Sequence, residues 1–283
     1  MFCVSKWPLD AYLRVERLPT LWCPGCGIGI VVKALIMAID SAKLDPDKIV
    51  LVSGIGCTGR APGYLKFDSF HATHGRAIPL ATGVKLTNPE LKVVVISGDG
   101  DLFSIGGNHI IHAARRNIDM LVLCVNNFVY GLTGGQVAPT TPTGAKTKTT
   151  PLGNLEQPFN LVSIVATAGA TFVARWTVIH VPQLKKSIEK ALKRRGFSFI
   201  EIVAPCPTHF CRANNISPIE ALERLQKVSE IKNGLDPREA TLDFGSKIVC
   251  GEFVDEEREE YTTLIYSLIK ERSGKDVRNV VSA

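Results

Sequence analysis

The stretch "LKVVVISGDGD", residues 91–101, runs from an apolar, β-branched segment straight into a turn built from glycine and aspartate. It reads as a strand that ends in a loop. "KIVLVSGIGC" (48–57), "DMLVLCVNN" (119–127) and "FSFIEIVAPC" (197–206) have the same character, and each closes on small, polar or cysteine residues. Between and beside them, "GIVVKALIMAIDSA", "AIPLATGVKLT", "GGNHIIHAARRN" and "VPQLKKSIEKALKRR" carry helical patterns. Strands alternating with helices predict an α/β fold, a mainly parallel sheet flanked by helices. In such a sheet ligands collect beyond the carboxyl ends of the strands, so the four strand ends are where chemistry is expected.

The remaining sequence fits that frame. At 283 residues, 45% hydrophobic and 21% charged, the chain has an ordinary globular composition, which excludes disorder. No apolar run approaches the roughly 20 residues of a membrane span. The longest candidate, 28–39, is interrupted by Lys33 and reads as a buried helix. The N-terminus "MFCVSKWPLDAYLRVERLP" has no apolar core of an export signal, so the expected location is the cytoplasm. The net charge of +6 is accounted for by a solvated helix face carrying Lys185, Lys186, Lys190, Lys193, Arg194 and Arg195, and no nucleic-acid partner is expected. Residues 131–160, dominated by Gly, Thr and Pro, have no periodicity and read as a functional loop. After residue 212 the pattern changes, dividing the chain into a domain, 1–212, and a C-terminal helical and extended arm, 213–283. Its last helix, within "DEEREEYTTLIYSLIKERSG", is expected to dock on the domain or on another subunit.

Two constellations carry chemistry. Gly98 and Gly100 flank Asp99, so the backbone can approach a phosphate while the carboxylate holds a hard divalent cation. Asn127 follows 28 residues later, after one helix and one strand, which places it at the end of a neighbouring parallel strand. Asp99 and Asn127 can then share one magnesium ion on a diphosphate, with a backbone carbonyl as a third protein ligand. The second constellation is cysteine. Eight cysteines without an export signal point away from a disulfide framework. Cys23 and Cys26 form a knuckle, while Cys57 and Cys206 end strands on the same side of the sheet. By spacing alone, four thiolates suit zinc and an iron–sulfur cube equally.

The paired GDG and NN motifs resemble those of the thiamine-diphosphate enzymes. That resemblance implies magnesium ligands Asp99, Asn127 and the Val129 carbonyl, with Gly100, Asp101, Gly131 and Leu132 lining the cofactor. "CPGCGIG", "GIGCTGR", "THGRAIPLATGVKL", "GDGDLFSIGGNH", "NNFVYGLTGGQ" and "APCPT", spread over most of residues 20–210, are similar to the beta subunits of 2-oxoacid:ferredoxin oxidoreductases, most of all the 2-oxoglutarate type. The family implies a thiamine-diphosphate-binding fold and a [4Fe-4S] cluster on Cys23, Cys26, Cys57 and Cys206. It also implies cofactor contacts from Ile55, Gly56, Cys57, Thr58, His74 and Gly75, with His74 as a catalytic residue.

The implied reaction decarboxylates a 2-oxo acid oxidatively with coenzyme A, giving acyl-CoA and CO2, and sends electrons through the cluster to ferredoxin. Oxidation without flavin or lipoamide needs a one-electron acceptor close by, which a cluster provides and structural zinc does not. Thiamine enzymes also need a glutamate against the aminopyrimidine ring from a second domain, and the C-x-x-C-x-x-C-x-x-x-C ferredoxin run is missing. An alpha-type partner subunit, alone or with further subunits, is therefore expected. Some relatives carry lysine where Gly134 stands, which leaves pyruvate and branched 2-oxo acids as alternatives. A non-oxidative decarboxylase or carboligase with a four-cysteine zinc site is a second alternative. A basic zinc-knuckle binding protein is a third, and leaves Asp99 and Asn127 unexplained. Cys3, Cys124, Cys211 and Cys250 fall outside the cluster set; Cys124 is expected as a buried small hydrophobe, and Cys211 is close enough to Cys206 to be an alternative ligand.

Overall fold

The apolar runs pair side by side in the computed structural model, which describes residues 8–274; Cys3 lies outside them. Among the described residues, nine strands make one sheet. Six are mutually parallel: β1 (Ile49–Ser53), β2 (Asp68–His71), β3 (Lys92–Gly98), β4 (Met120–Asn126), β7 (Phe172–Thr177) and β8 (Phe197–Val203), in the spatial order β2-β1-β3-β4-β8-β7. Between β4 and β7, the two-residue strands β5 (Val129–Tyr130) and β6 (Gln136–Val137) form a separate hairpin.

Helices cover both faces, which is why the central strands read as continuous apolar runs. α1 (Ile28–Ala42) and α5 (Val181–Lys193) bury Leu51, Val94, Ile96, Leu121 and Leu123 on one side. α2 (Ala77–Thr87), α3 (Gly107–Arg115) and α4 (Leu161–Thr167) bury Val50, Val93, Val95, Val122 and Cys124 on the other. Cys124 is thus a core residue, as its apolar surroundings in the sequence imply.

After residue 212 come α6 (Pro218–Val228), β9 (Ser229–Ile231), β10 (Leu242–Asp243) and β11 (Lys247–Asp255). β11 runs antiparallel to β7 and extends the main sheet, with β9 and β10 beside it. The last helix, α7, spans Tyr261–Ser273 and starts later than its charged sequence suggests. Glu260 caps it, accepting the backbone N–H groups of Thr262 and Thr263 at 2.6 and 2.7 Å, so the acidic residues before it stay outside the helix. Tyr266 of α7 donates to the Leu86 carbonyl at 2.8 Å, docking the helix on the domain. No helix among the described residues is long and apolar enough to cross a membrane.

Two strands of the parallel set have no clear signal in the sequence. β2 is a short edge strand, exposed along its length. β7 contains Arg175, which is fully buried and ion-paired to Glu201 of β8 at 2.7 Å. Glu201 also accepts from Asn126 Nδ2 at 2.7 Å, and Arg175 donates to Asn160 Oδ1 and the Ala240 carbonyl at 2.9 and 2.8 Å. The pair is tolerated because its remaining hydrogen-bonding positions are also matched.

Candidate active site

The strand order reverses twice. From β1 the chain moves outward to β2 and returns on the other side as β3; from β4 it moves outward to β7 and returns as β8. Each reversal opens a crevice at the carboxyl ends of the strands. Gly98 lies opposite Val125 and Asn126 opposite Val203, so the loops after β3, β4 and β8 leave the sheet together. The N–H groups of Ala204 and Cys206 donate to the carbonyls of Asn126 and Asn127 at 2.8 and 3.3 Å, joining the NN turn to the APC turn.

Asp99 and Asn127 meet as their spacing predicts. Asp99 is buried, its carboxylate accepting the hydroxyl of Thr140 and lying close to the backbone N–H groups of Asn127 and Gly100. These donors are neutral, and burial outweighs them, pushing the Asp99 pKa up to about 6. A buried carboxylate supplied only with neutral donors suits a divalent cation. Asn127 is half-buried, with Oδ1 accepting the Val129 N–H at 3.3 Å. Val129 is buried and pairs with Val137 in the β5–β6 hairpin. Gly100 has no room for a side chain, since a Cβ there would stand 2.6 Å from the Tyr130 ring, whose hydroxyl donates to the Gly100 carbonyl at 3.1 Å.

Asp101 joins three loops. Its buried carboxylate accepts the N–H of Ile55 at 3.2 Å, the N–H of Gly75 at 2.8 Å and the Ser97 hydroxyl at 2.8 Å, and it pairs with His74 Nδ1. The loops after β1, β2 and β3 are thereby fixed to one side chain. Gly54 is required beside it, because a Cβ would lie 1.9 Å from Asp101 Oδ2. His74, held at Nδ1, presents its ring edge-on to Tyr130 with centroids 5.8 Å apart. A single wide π-turn, Asp101–Ile105, carries the chain from this loop into α3. Thr58 is buried beside Gly98, whereas Gly56 is half-buried with open space where a Cβ would stand, and Leu132 is exposed.

Cys23, Cys26, Cys57 and Cys206 line one cavity of about 210 Å³, together with Asn127, Gly131, Leu132 and His209. A Cβ on Gly131 would stand 3.6 Å from the sulfurs of both Cys57 and Cys206 and 3.5 Å from Asn127 Nδ2. Burial, and then the proximity of Cys206, Cys26 and Cys23, push the Cys57 thiol up to about 11. Among the described residues no three His, Cys, Asp or Glu side chains close on a point that one metal ion could fill. Cys211 and Cys250 are buried in the core under α1 and α5 and do not line the cavity.

Sequence reasoning missed what fixes the knuckle. Trp22 Nε1 donates to the Cys57 carbonyl at 2.9 Å, the Leu21 N–H donates to the Tyr64 hydroxyl at 2.9 Å, and the Trp22 and Tyr64 rings pack 5.0 Å apart. A tryptophan directly before Cys23 was the available signal. At Gly134 the ammonium of Lys148 comes within 3.5 Å of where a Cβ would stand.

Residues 54–202 match the family model described as thiamine pyrophosphate enzyme, C-terminal TPP binding domain. The 2-oxoglutarate synthase subunit KorB of Methanothermobacter marburgensis is 50% identical over 276 residues, covering 96% of this chain and 95% of the relative. The chain belongs to the beta subunits of the 2-oxoacid:ferredoxin oxidoreductases. A second such subunit, KorB of Methanothermobacter thermautotrophicus, is 49% identical over 281 residues, covering 98% of this chain and 96% of the relative. The solved 2-oxoglutarate:ferredoxin oxidoreductase from Magnetococcus marinus, with 2-oxoglutarate, coenzyme A and succinyl-CoA bound, superposes with a TM-score of 0.84 at 30% identity over 98% of this chain and 96% of that one. As a member of these beta subunits, the chain is part of a thiamine-diphosphate-type oxidoreductase. The matched thiamine domain contains Asp99, Asn127 and Cys57, while Cys23, Cys26 and Cys206 flank it in sequence and meet it in space.

Proposed function

We propose that this beta subunit oxidatively decarboxylates 2-oxoglutarate with coenzyme A, yielding succinyl-CoA and CO2 and passing electrons to ferredoxin. In this reading Asp99, Asn127 and the Val129 carbonyl hold magnesium on thiamine diphosphate, and Cys23, Cys26, Cys57 and Cys206 hold a [4Fe-4S] cluster. The observation that carries it is the point beside Gly131 where a Cβ would stand, which lies 3.5 Å from Asn127 Nδ2 and 3.6 Å from the sulfurs of both Cys57 and Cys206. A thiamine centre and an electron acceptor placed there would share one wall.

Bound thiamine diphosphate supplies the carbanion chemistry that releases CO2, and the cluster supplies one-electron acceptance. The chain's own residues do the positioning. Asp99 offers buried negative charge, and Gly100, with no side chain, makes room for the Tyr130 ring packed against it. Asp101 fixes the Ile55 and Gly75 N–H groups, and in this reading Gly56, Thr58, Gly131 and Leu132 complete the cofactor rim. His74, with Nδ1 engaged by Asp101, keeps Nε2 for a proton or a substrate oxygen.

Several observations support the remaining parts. The relatives' names and the ligands of the Magnetococcus marinus enzyme favour 2-oxoglutarate and coenzyme A. Lys148 is exposed at Gly134, beside the Leu132 turn, where an ammonium can meet a second carboxylate. Leu152 and Leu155, 98% and 94% exposed on the 131–160 loop, are apolar surface for an alpha-type subunit. The seven described cysteines are all unpaired, in keeping with a reducing cytoplasm.

Anaerobic co-purification with the alpha-type partner tests the reading. It should yield about four irons per beta chain and a brown chromophore bleached by dithionite. Stoichiometric zinc without visible absorbance would overturn the cluster and favour the decarboxylase alternative. Viologen reduction with coenzyme A and 2-oxoglutarate, pyruvate or a branched 2-oxo acid ranks the substrates, with Lys148→Ala expected to impair only the dicarboxylic one. Asp99→Ala should abolish thiamine-dependent turnover.

A further inference from the structure

We infer that Thr140 is a positioning residue for the metal site, its hydroxyl setting the rotation at which Asp99 presents its carboxylate to the cation. The inference rests on the magnesium reading above.

Thr140 is 41 positions from Asp99 in sequence, yet it is buried and its hydroxyl donates to Asp99 Oδ2. A hydroxyl buried this deeply needs a partner, and valine would fill the same volume without that need. The backbone that delivers it is held at several points. The hydroxyl of the adjacent Thr141 donates to the Phe128 carbonyl at 2.5 Å and accepts the Ala138 N–H at 2.9 Å, and the Thr141 carbonyl accepts from Asn154 Nδ2 at 2.8 Å. Phe128 directly follows Asn127 and precedes Val129. The glycine- and threonine-rich loop is therefore pinned both to the carboxylate and to the turn that supplies the other proposed ligands.

Partners of a ligating carboxylate commonly change metal affinity 10–100-fold when removed. Magnesium demands near-ideal octahedral geometry whereas calcium accepts irregular shells, so an unfixed Asp99 should penalise magnesium more.

The test uses the assembled alpha–beta enzyme stripped of divalent ions and thiamine diphosphate, with calorimetric titration of thiamine diphosphate at graded Mg²⁺ or Ca²⁺. Cluster absorbance and the thermal midpoint are recorded alongside. Thr140→Val should raise the half-saturating Mg²⁺ about 10–100-fold and the Ca²⁺ requirement by less, and Thr140→Ser should restore the wild-type curve. Wild-type curves in Thr140→Val, or equal shifts for both ions accompanied by a lower thermal midpoint, would overturn the inference. If Thr140→Val does not assemble, Thr140→Ala is read by the same criteria. Divalent-independent binding in the wild-type enzyme would instead refute the magnesium reading, and this inference with it.

Discussion

Asp101 gathers donors from residues 4 to 46 positions away, and no local pattern in the sequence announces that role. Asp99 was legible because two glycines flank it and a strand precedes it. Asp101 was read as a cofactor contact from family likeness, and its part in joining three loops emerges only when the strands are aligned. Asp101→Ala leaves the Ile55 and Gly75 N–H groups without acceptors. At about 1–3 kcal/mol for each unsatisfied buried donor, the variant should lose about 3 kcal/mol of stability. A urea midpoint indistinguishable from wild type would show that water replaces the carboxylate at no cost. Cys250 carries a separate prediction. Burial pushes its thiol up to about 12, so it stays protonated in the folded chain at pH values where it ionises in the unfolded one. The unfolded state then binds fewer protons, and stability falls as pH rises from about 9 toward 12. Cys250→Ala should flatten that decline when urea midpoints at pH 8 and pH 10 are compared.

Among the elements, the strands read correctly were those whose both faces meet a hydrophobic core. β2 escaped because an exposed edge needs no apolar pattern, and β7 because Arg175 interrupts its run. The charge in β7 is a property of the β7–β8 pair and not of either strand alone. Arg175→Met would strand Glu201 without its ion partner in the core, at a cost of about 3–5 kcal/mol. Its thermal midpoint should therefore fall steeply, and a small shift would mean that Asn126 alone satisfies Glu201. The knuckle before α1 behaves as a latch on the Cys57 turn. Trp22→Phe keeps the ring contact with Tyr64 but removes the bond to the Cys57 carbonyl, worth about 1 kcal/mol. If the proposed cluster is bound, the variant should fold and its colour should bleach several-fold faster in air than that of the wild type; an unchanged bleaching rate would sink the latch.

At the scale of the molecule, the strand order explains why so much of the candidate site was readable. Parallel strands that share an apolar signature end on one rim, so residues found at strand ends were already assigned to the same side. Cys57, Asp99, Asn127 and Cys206 follow from that rule. The knuckle and the 131–160 loop do not, because their positions depend on contacts such as Trp22 to Cys57 and Thr140 to Asp99 that have no sequence period. The same layout bears on how the enzyme is made. Both hydrophobic cores lie along the sheet faces, while Cys23, Cys26, Cys57 and Cys206 line a cavity at the margin of one of them. In a small zinc domain the metal supplies the folding free energy. Here the two cores close without any bound group, so on the proposed reading the body of the chain folds before iron or thiamine arrives, and purification from iron-starved cells should give intact, colourless subunits.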